Sequence, residues 1–243
     1  MSQNLKTVFL TIKRHWLGQI LCRYDTAAFL SCIFFFMVWP DFDLKVSALF
    51  YDQETNLFFW KNHVIVVFIY SLTQLLGATM IVGLPLLFAL SWIIKSDGLI
   101  KSRPALIFLF CSCILGPVLM VNAVLKDNWG RPRPHQVLEL GGNKQYQAAF
   151  YPTFEDKKGH SFVSGHASVG FAFFSLALLA RNRRWLLLPI LAGGIIGAGR
   201  MVQGGHFLSD VIFSGWVVWY CSILLFTVFY KLKLFPERIP VPE

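Results

Sequence analysis

The amino-acid sequence predicts an all-α, polytopic membrane protein built as a bundle of six transmembrane helices. Three observations lead there. The 243-residue chain is 56% hydrophobic and only 14% charged, with a mean hydropathy of +0.57, whereas a soluble domain carries about a quarter charged residues. The apolar residues gather in runs suited to crossing a hydrocarbon core about 30 Å thick. The basic residues gather in short stretches between those runs and favour alternate ones, which is how membrane topology is encoded.

Taken in order, residues 1–24 are basic and weakly amphipathic (Lys6, Lys13, Arg14 and Arg23, with Trp16 and Leu17). They are expected to lie as a helix on the cytoplasmic surface. Residues 25–243 are expected to form one domain, because no polar stretch is long enough to enclose a second core. The first span is placed at 27–39 and ends at Pro40, Asp41 and Asp43. It is short, so 17–24 extends it if Arg23 snorkels. No small-residue cleavage site follows this run, so it is read as retained rather than as a signal peptide. The aromatic stretch 41–62 suits an external interfacial segment. Residues 64–94 exceed one span, and are divided into an interfacial helix (59–73) and a second span (75–94) joined at Gln74 and Gly77. A basic loop, 95–103, precedes the third span at 104–125. Residues 126–163 are the longest polar stretch. The fourth span is 165–180, and Arg181, Arg183 and Arg184 form a basic turn. The fifth, 185–199, carries Gly193, Gly194 and Gly197, which allow close helix packing. A short loop leads to the sixth, 209–230, and to a basic tail with Lys231, Lys233 and Arg238.

Six spans put both termini on one face. That face holds the larger share of the 22 Lys and Arg residues, so the termini are expected in the cytoplasm and the loop 126–163 outside. The formal net charge of +9 is therefore a topology signal. There is no basic stripe with interleaved aromatics, and a nucleic-acid partner is not expected. Cys22, Cys32, Cys111, Cys113 and Cys221 lie in apolar runs or on the cytoplasmic side, so no disulfide framework is expected. Cys111-x-Cys113 has no partner pair and no HExxH-like spacing occurs, so no metal site is expected either.

Three segments carry chemistry, and the layout brings all three to the external face. Lys126-x6-Arg133-Pro134 follows the third span; two cations at a helix end suit a phosphate, although the segment alone equally suits interfacial anchoring with Trp129. Arg131 is a further cation able to reach the site or a headgroup. Ser164-Gly165-His166 opens the fourth span, where a helix N-terminus offers N–H groups to an anion and Gly165 permits close approach. Ser164 also reads as a plain N-cap. Arg200-x5-His206-x3-Asp210 precedes and enters the sixth span. His206 and Asp210, four apart, meet on one helix face if the helix begins by His206. An aspartate on one imidazole nitrogen leaves the other free to act as a nucleophile. His15, His63, His135 and His160 are read as solvated or headgroup-facing.

These segments resemble the three-part signature of the type 2 phosphatidic acid phosphatase superfamily: K-x6-R-P, P-S-G-H and S-R-x5-H-x3-D. Val163 stands where the second part has proline, and Gly199 where the third has serine. The resemblance implies a metal-independent phosphatase with no cofactor. In it His206 is the nucleophile that forms a phosphohistidine, Asp210 orients it and His166 protonates the leaving oxygen. Lys126, Arg133, Ser164, Gly165 and Arg200 hold the phosphate. The flanking text (GPVLMVNAVLKDNWGRPRPHQVLELGG, SFVSGHAS and FDLKVSALFYD) is similar to the bacterial branch that includes lipid A phosphatases. This implies a bacterial inner-membrane enzyme with its site facing the periplasm and a lipid phosphate as substrate, foremost lipid A at its 1- or 4′-position. Undecaprenyl diphosphate and phosphatidylglycerophosphate are the nearest alternatives, and a non-enzymatic lipid-binding or transport protein is the remote one. Lys144, Lys157 and Lys158 in loop 135–160 are candidate headgroup contacts.

Overall fold

A computed structural model of the chain describes residues 24–152 and 161–235. The segment 1–23, the loop residues Lys157, Lys158 and His160, and Arg238 in the tail lie outside the described residues. Within them the protein is helical apart from one small hairpin.

Helix α1 (Thr26–Val38) is about 20 Å long at 1.5 Å per residue, shorter than a bilayer core. Trp39 is the residue before Pro40, a position that disfavours helix, and the chain turns by 81° into α2 (Phe42–Ala48). Phe29 of α1 packs edge-on against Phe213, Trp216 and Tyr220. A tight hairpin follows, with β1 (Tyr51–Asp52) antiparallel to β2 (Leu57–Phe58). Asp52 closes it by accepting from the Glu54 amide and the Thr55 hydroxyl. Tyr51 and Phe58 form a small core with Val137, Leu140 and Phe207, so the hairpin braces the loops that carry the motifs.

Helix α3 (Val64–Ile94) is one unbroken element of 31 residues, not an interfacial helix joined to a span at Gln74 and Gly77. In an apolar surrounding, interrupting a helix exposes backbone groups with no water to satisfy them. One glutamine and one glycine are too weak to force that. Thr73 and Thr79 instead donate to carbonyls one turn back and stay within the helix. The predicted basic loop 95–103 is mostly helix as well. Ser96 caps α4 (Asp97–Cys113) by accepting from the Leu99 amide. Arg103 reaches back to Ser91, donating from Nε to the hydroxyl and from Nη2 to the carbonyl, both at 2.8 Å. Only Lys95, in a left-handed conformation, and Ser96 separate the two helices.

Beyond Cys113, α4 continues as a long π-helical stretch (Ile114–Lys126) and one further turn (Asp127–Trp129) ending at Gly130. Pro117 sits inside the π stretch, and Asn122 Nδ2 donates to the Pro117 carbonyl at 2.7 Å. Asn122 lies close to Lys126 and Gly165. Helix α5 comprises Gly165–Phe171 and Phe174–Ala180, and α6 (Leu187–Val202) and α7 (Leu208–Lys231) complete the bundle. The predicted close packing on α6 holds at Gly193, where a side chain would collide with Phe171 of α5, and fails at Gly194, which faces open space.

Helix α3, α4 with its continuation to Gln136, α6 with the 3-10 turn Arg183–Leu186 before it, and α7 are long and apolar enough to cross a membrane, and the bent pair α1–α2 is a fifth candidate; α5 is apolar but shorter. The central element is α7, more than half buried, whereas α3 lies at the periphery and is mostly exposed. The exposed side chains of α3 include Val64, Phe68, Leu75, Val82 and Ile93. An apolar surface of this extent fits lipid, not water. The chain is a multi-pass membrane protein.

Candidate active site

The three motif segments meet at one end of the bundle, and Ser161 ties two of them together. Its amide donates to the Arg131 carbonyl at 3.0 Å. Its carbonyl faces His206 Nδ1 at 2.8 Å, and its hydroxyl donates to Asp210 Oδ2 at 2.6 Å. A carbonyl can only accept, so Nδ1 of His206 carries the proton and Nε2 keeps its lone pair. The sequence assigned that orienting role to Asp210. The structure gives it first to Ser161, because Asp210 Oδ2 lies 3.6 Å from Nδ1, beyond hydrogen-bond range. Helix α7 begins at Leu208, not at His206. Asp210 therefore folds back to accept from the Phe207 amide at 2.8 Å, capping the helix, while its negative charge stays beside the imidazole.

His206 is fully buried. Burial pushes its imidazole below the ordinary histidine range, Asp210 draws it back, and the charges of Arg200 and Arg133 push with burial.

The sequence offered Arg131 to the site or to a headgroup; it is wholly buried, and it reaches the site from behind, at Asp210. Its guanidinium donates from Nε to the Gln147 carbonyl at 2.9 Å and from Nη1 to Asp210 Oδ1 at 2.6 Å and Ser209 Oγ at 2.8 Å. Nη2 donates to Asp43 Oδ2 at 2.8 Å. A buried arginine needs this much compensation, because taking its charge out of water costs several kcal/mol. Asp43 also accepts from the Ser209 amide at 2.9 Å and from the Ser209 hydroxyl. Sequence reading took Asp43 only as a helix stop. Its one visible signal was its place in the segment FDLKVSALFYD.

Ser164 caps α5 by accepting from the Ala167 amide at 3.4 Å, and its own amide donates to the Asp210 carbonyl at 3.0 Å. Gly165 is buried. A side chain there would meet Asn122 Oδ1 at 2.5 Å, so the close approach made possible by this glycine is used by α4. Arg200, in the last turn of α6, donates from Nη1 to Gln203 Oε1 at 2.5 Å. Its buried Nε has no hydrogen-bond partner among the described residues, which leaves a donor for an anion. Gly204 and Gly205 let the loop wrap this side chain. Gly204 adopts φ +68°, and a Cβ at Gly205 would lie 2.6 Å from Arg200 Nη2.

Lys126 Nζ lies 3.4 Å from Asn122 Oδ1. Arg133 is half-buried, with its amide donating to Gln136 Oε1 at 2.9 Å. His166 feels the charges of Arg200, His206, Lys126 and Arg133. The two histidines and three cations of the motifs thus share one electrostatic site. Tyr70 of α3 also belongs here, stacked on His166; nothing in the sequence distinguished it from other interfacial aromatics. Lys144 sits in the turn after Val137, where its carbonyl accepts from the Leu138 amide at 2.8 Å. Among the described residues, no three His, Cys, Asp or Glu side chains gather in a way that could hold a metal ion.

Comparison with known proteins identifies the family. The PAP2 superfamily model matches residues 104–234, a stretch that contains all three motifs. A lipid A 4′-phosphatase of Francisella tularensis subsp. novicida is 33% identical over 221 residues, covering 89% of this chain and 96% of that protein. Lipid A 4′-phosphatases of Rhizobium etli and Rhizobium leguminosarum are each 37% identical over 122 residues, 49% of this chain and 46% and 51% of theirs. No solved structure matches significantly. With more than half of its length matched by the family model, and a relative similar almost end to end, the chain belongs to the PAP2 superfamily.

Proposed function

We propose that this protein is a lipid A 4′-phosphatase working through a phosphohistidine. The observation that carries the reading is the set of the His206 ring, with Nδ1 held by the Ser161 carbonyl and Nε2 left as a nucleophile among Arg200, Arg133, Lys126 and His166. Nε2 attacks phosphorus, and an N–P bond forms as the ester P–O bond breaks. The leaving sugar oxygen takes its proton from His166. Water then attacks the phosphoenzyme while giving a proton to His166, releasing phosphate and restoring both histidines. Asp210 stabilises the positive charge that develops on the ring. Lys126, Arg133 and Arg200, with the Ser164 hydroxyl and the Gly165 amide at the start of α5, hold the phosphate oxygens and the charge that spreads over them in the transition state. The choice of lipid A, and of its 4′-phosphate, rests on three relatives that carry that name, one of them matched over 96% of its length.

The bent α1–α2 pair and helices α3 to α7 serve as six spans, so residues 25–243 form one phosphatase domain and residues 1–24 a cytoplasmic interfacial segment. The loop 126–163 faces the periplasm from a bacterial inner membrane. A cysteine at exposed Glu139, in a background without other cysteines, should react with an impermeant maleimide in intact spheroplasts. Reaction only after lysis would put the site on the other face.

The activity is tested with purified protein in detergent and excess EDTA. Phosphate should be released from lipid A, and mass spectrometry should locate the loss at the 4′-position. Loss from the 1-position would change the regiochemistry alone. A folded protein inert on lipid A but active on undecaprenyl diphosphate or phosphatidylglycerophosphate would overturn the substrate and keep the mechanism.

A further inference from the structure

His206 is oriented by a hydrogen bond, but His166 is not. Among the described residues the His166 side chain has no hydrogen-bond partner. What touches it is the ring of Tyr70, stacked at 4.7 Å between centroids with 27° between planes. The same phenol ring lies 4.9 Å from the guanidinium carbon of Arg200. One side chain on α3 therefore contacts a motif residue on α5 and another on α6. We propose that Tyr70 is a positioning residue that holds the His166 imidazole at the angle needed to deliver a proton to the leaving oxygen. The inference rests on the assignment of His166 as that proton donor.

Stacking restricts a ring that is otherwise free to rotate at the first turn of α5. Offset-stacked rings at this separation attract beyond their buried area, and a guanidinium over the same ring adds a cation–π contact. Arg200, pinned through Gln203, and Tyr70 thus form a wall behind His166. The packing of the helices sets the arrangement: a Cβ at Gly77 would lie only 3.5 Å from Val169, so α3 runs close beside α5 just past the stacked pair. Tyr70 lies outside residues 104–234 matched by the family model, so the constraint comes from an element beyond that match.

A proton donor matters in proportion to how poor the leaving group is. The sugar alkoxide of lipid A needs a proton as the P–O bond breaks, whereas 4-nitrophenolate needs little help. The full-length protein is assayed on both lipid A and 4-nitrophenyl phosphate as His166→Ala, Tyr70→Leu and Tyr70→Phe. His166→Ala should lower kcat on lipid A by about 10²-fold or more, in the usual range for general acid catalysis, and affect the aryl phosphate far less. Tyr70→Leu should show the same selectivity on a smaller scale, about 10-fold in kcat on lipid A with KM changed less than about 2-fold, as expected when a catalytic group is misaligned, not lost. Tyr70→Phe keeps the ring and should restore activity on lipid A. Equal losses on both substrates in Tyr70→Leu, no loss at all, or failure of Tyr70→Phe to restore activity would overturn the proposal while His166→Ala kept its selectivity. A His166→Ala variant that loses both activities equally would remove the donor assignment itself, and the role of Tyr70 with it.

Discussion

Replacing His206 by alanine is expected to lower phosphate release by about 10⁴-fold or more, the scale on which loss of a nucleophile is felt. The reason is the bonding around the ring. The Ser161 carbonyl at 2.8 Å takes up Nδ1, so the only lone pair the side chain can offer phosphorus is on Nε2. Brief incubation with labelled substrate followed by an alkaline quench should trap an acid-labile phosphoenzyme in the unaltered protein and none in the variant. Phosphate release that survives His206→Ala would remove the covalent mechanism.

The same ring predicts a pH dependence. Burial is the main cause of the lowered His206 pKa, so the neutral, nucleophilic form should persist below the ordinary value of 6.5. The acid limb of kcat/KM assigned to this group should therefore fall below that value. The sign for stability follows by linkage. The folded protein binds a proton at this site less readily than the unfolded chain, so the stability contributed here is present above 6.5 and is lost as pH falls from there through the lowered folded value. Melting of the detergent-solubilised protein across this interval, compared with His206→Gln, isolates the contribution.

The second large effect is on stability, at Arg131. Arg131→Ala leaves Asp43 and Asp210 buried without their shared cation. Breaking a buried ion pair from one side costs about 3–5 kcal/mol, and here two carboxylates lose their partner at once. The expected result is a sharp fall in Tm, or failure to accumulate folded protein. Arg131→Lys keeps the charge but cannot reproduce donation to Gln147, Ser209, Asp210 and Asp43 together, so it should rescue only part. An Arg131→Ala protein that melts normally but binds lipid A poorly would return Arg131 to the headgroup role the sequence suggested for it.

The sequence and the structure divide along a physical line. Hydropathy showed where the apolar helices lie, because long runs of apolar side chains have one cheap environment, the bilayer interior. It misplaced joins, splitting α3 at Gln74 and Gly77 and leaving 97–103 as loop. At Gln74 and Gly77 the residue-type signal for breaking a helix is calibrated on water, which satisfies freed backbone groups as lipid cannot; at 97–103 the charges of Asp97, Lys101 and Arg103 masked a helix that Ser96 caps. Motif order and spacing were legible because they are local: Lys126 to Pro134, Ser164 to His166 and Arg200 to Asp210 each span less than a dozen residues.

What the sequence by itself determined is the membrane class, the three segments, and the chemical kinds of their side chains. Only the tertiary structure decided what each side chain does with its hydrogen bonds. The nitrogen of His206 that carries the proton is chosen by Ser161, 45 residues earlier. Arg131 is turned inward by Asp43, 88 residues away. His166 is met by Tyr70 from a helix that carries no motif. A hydrogen bond or a stack depends on angstrom-scale distances between segments, and spacing along a chain carries no information about distances across a bundle.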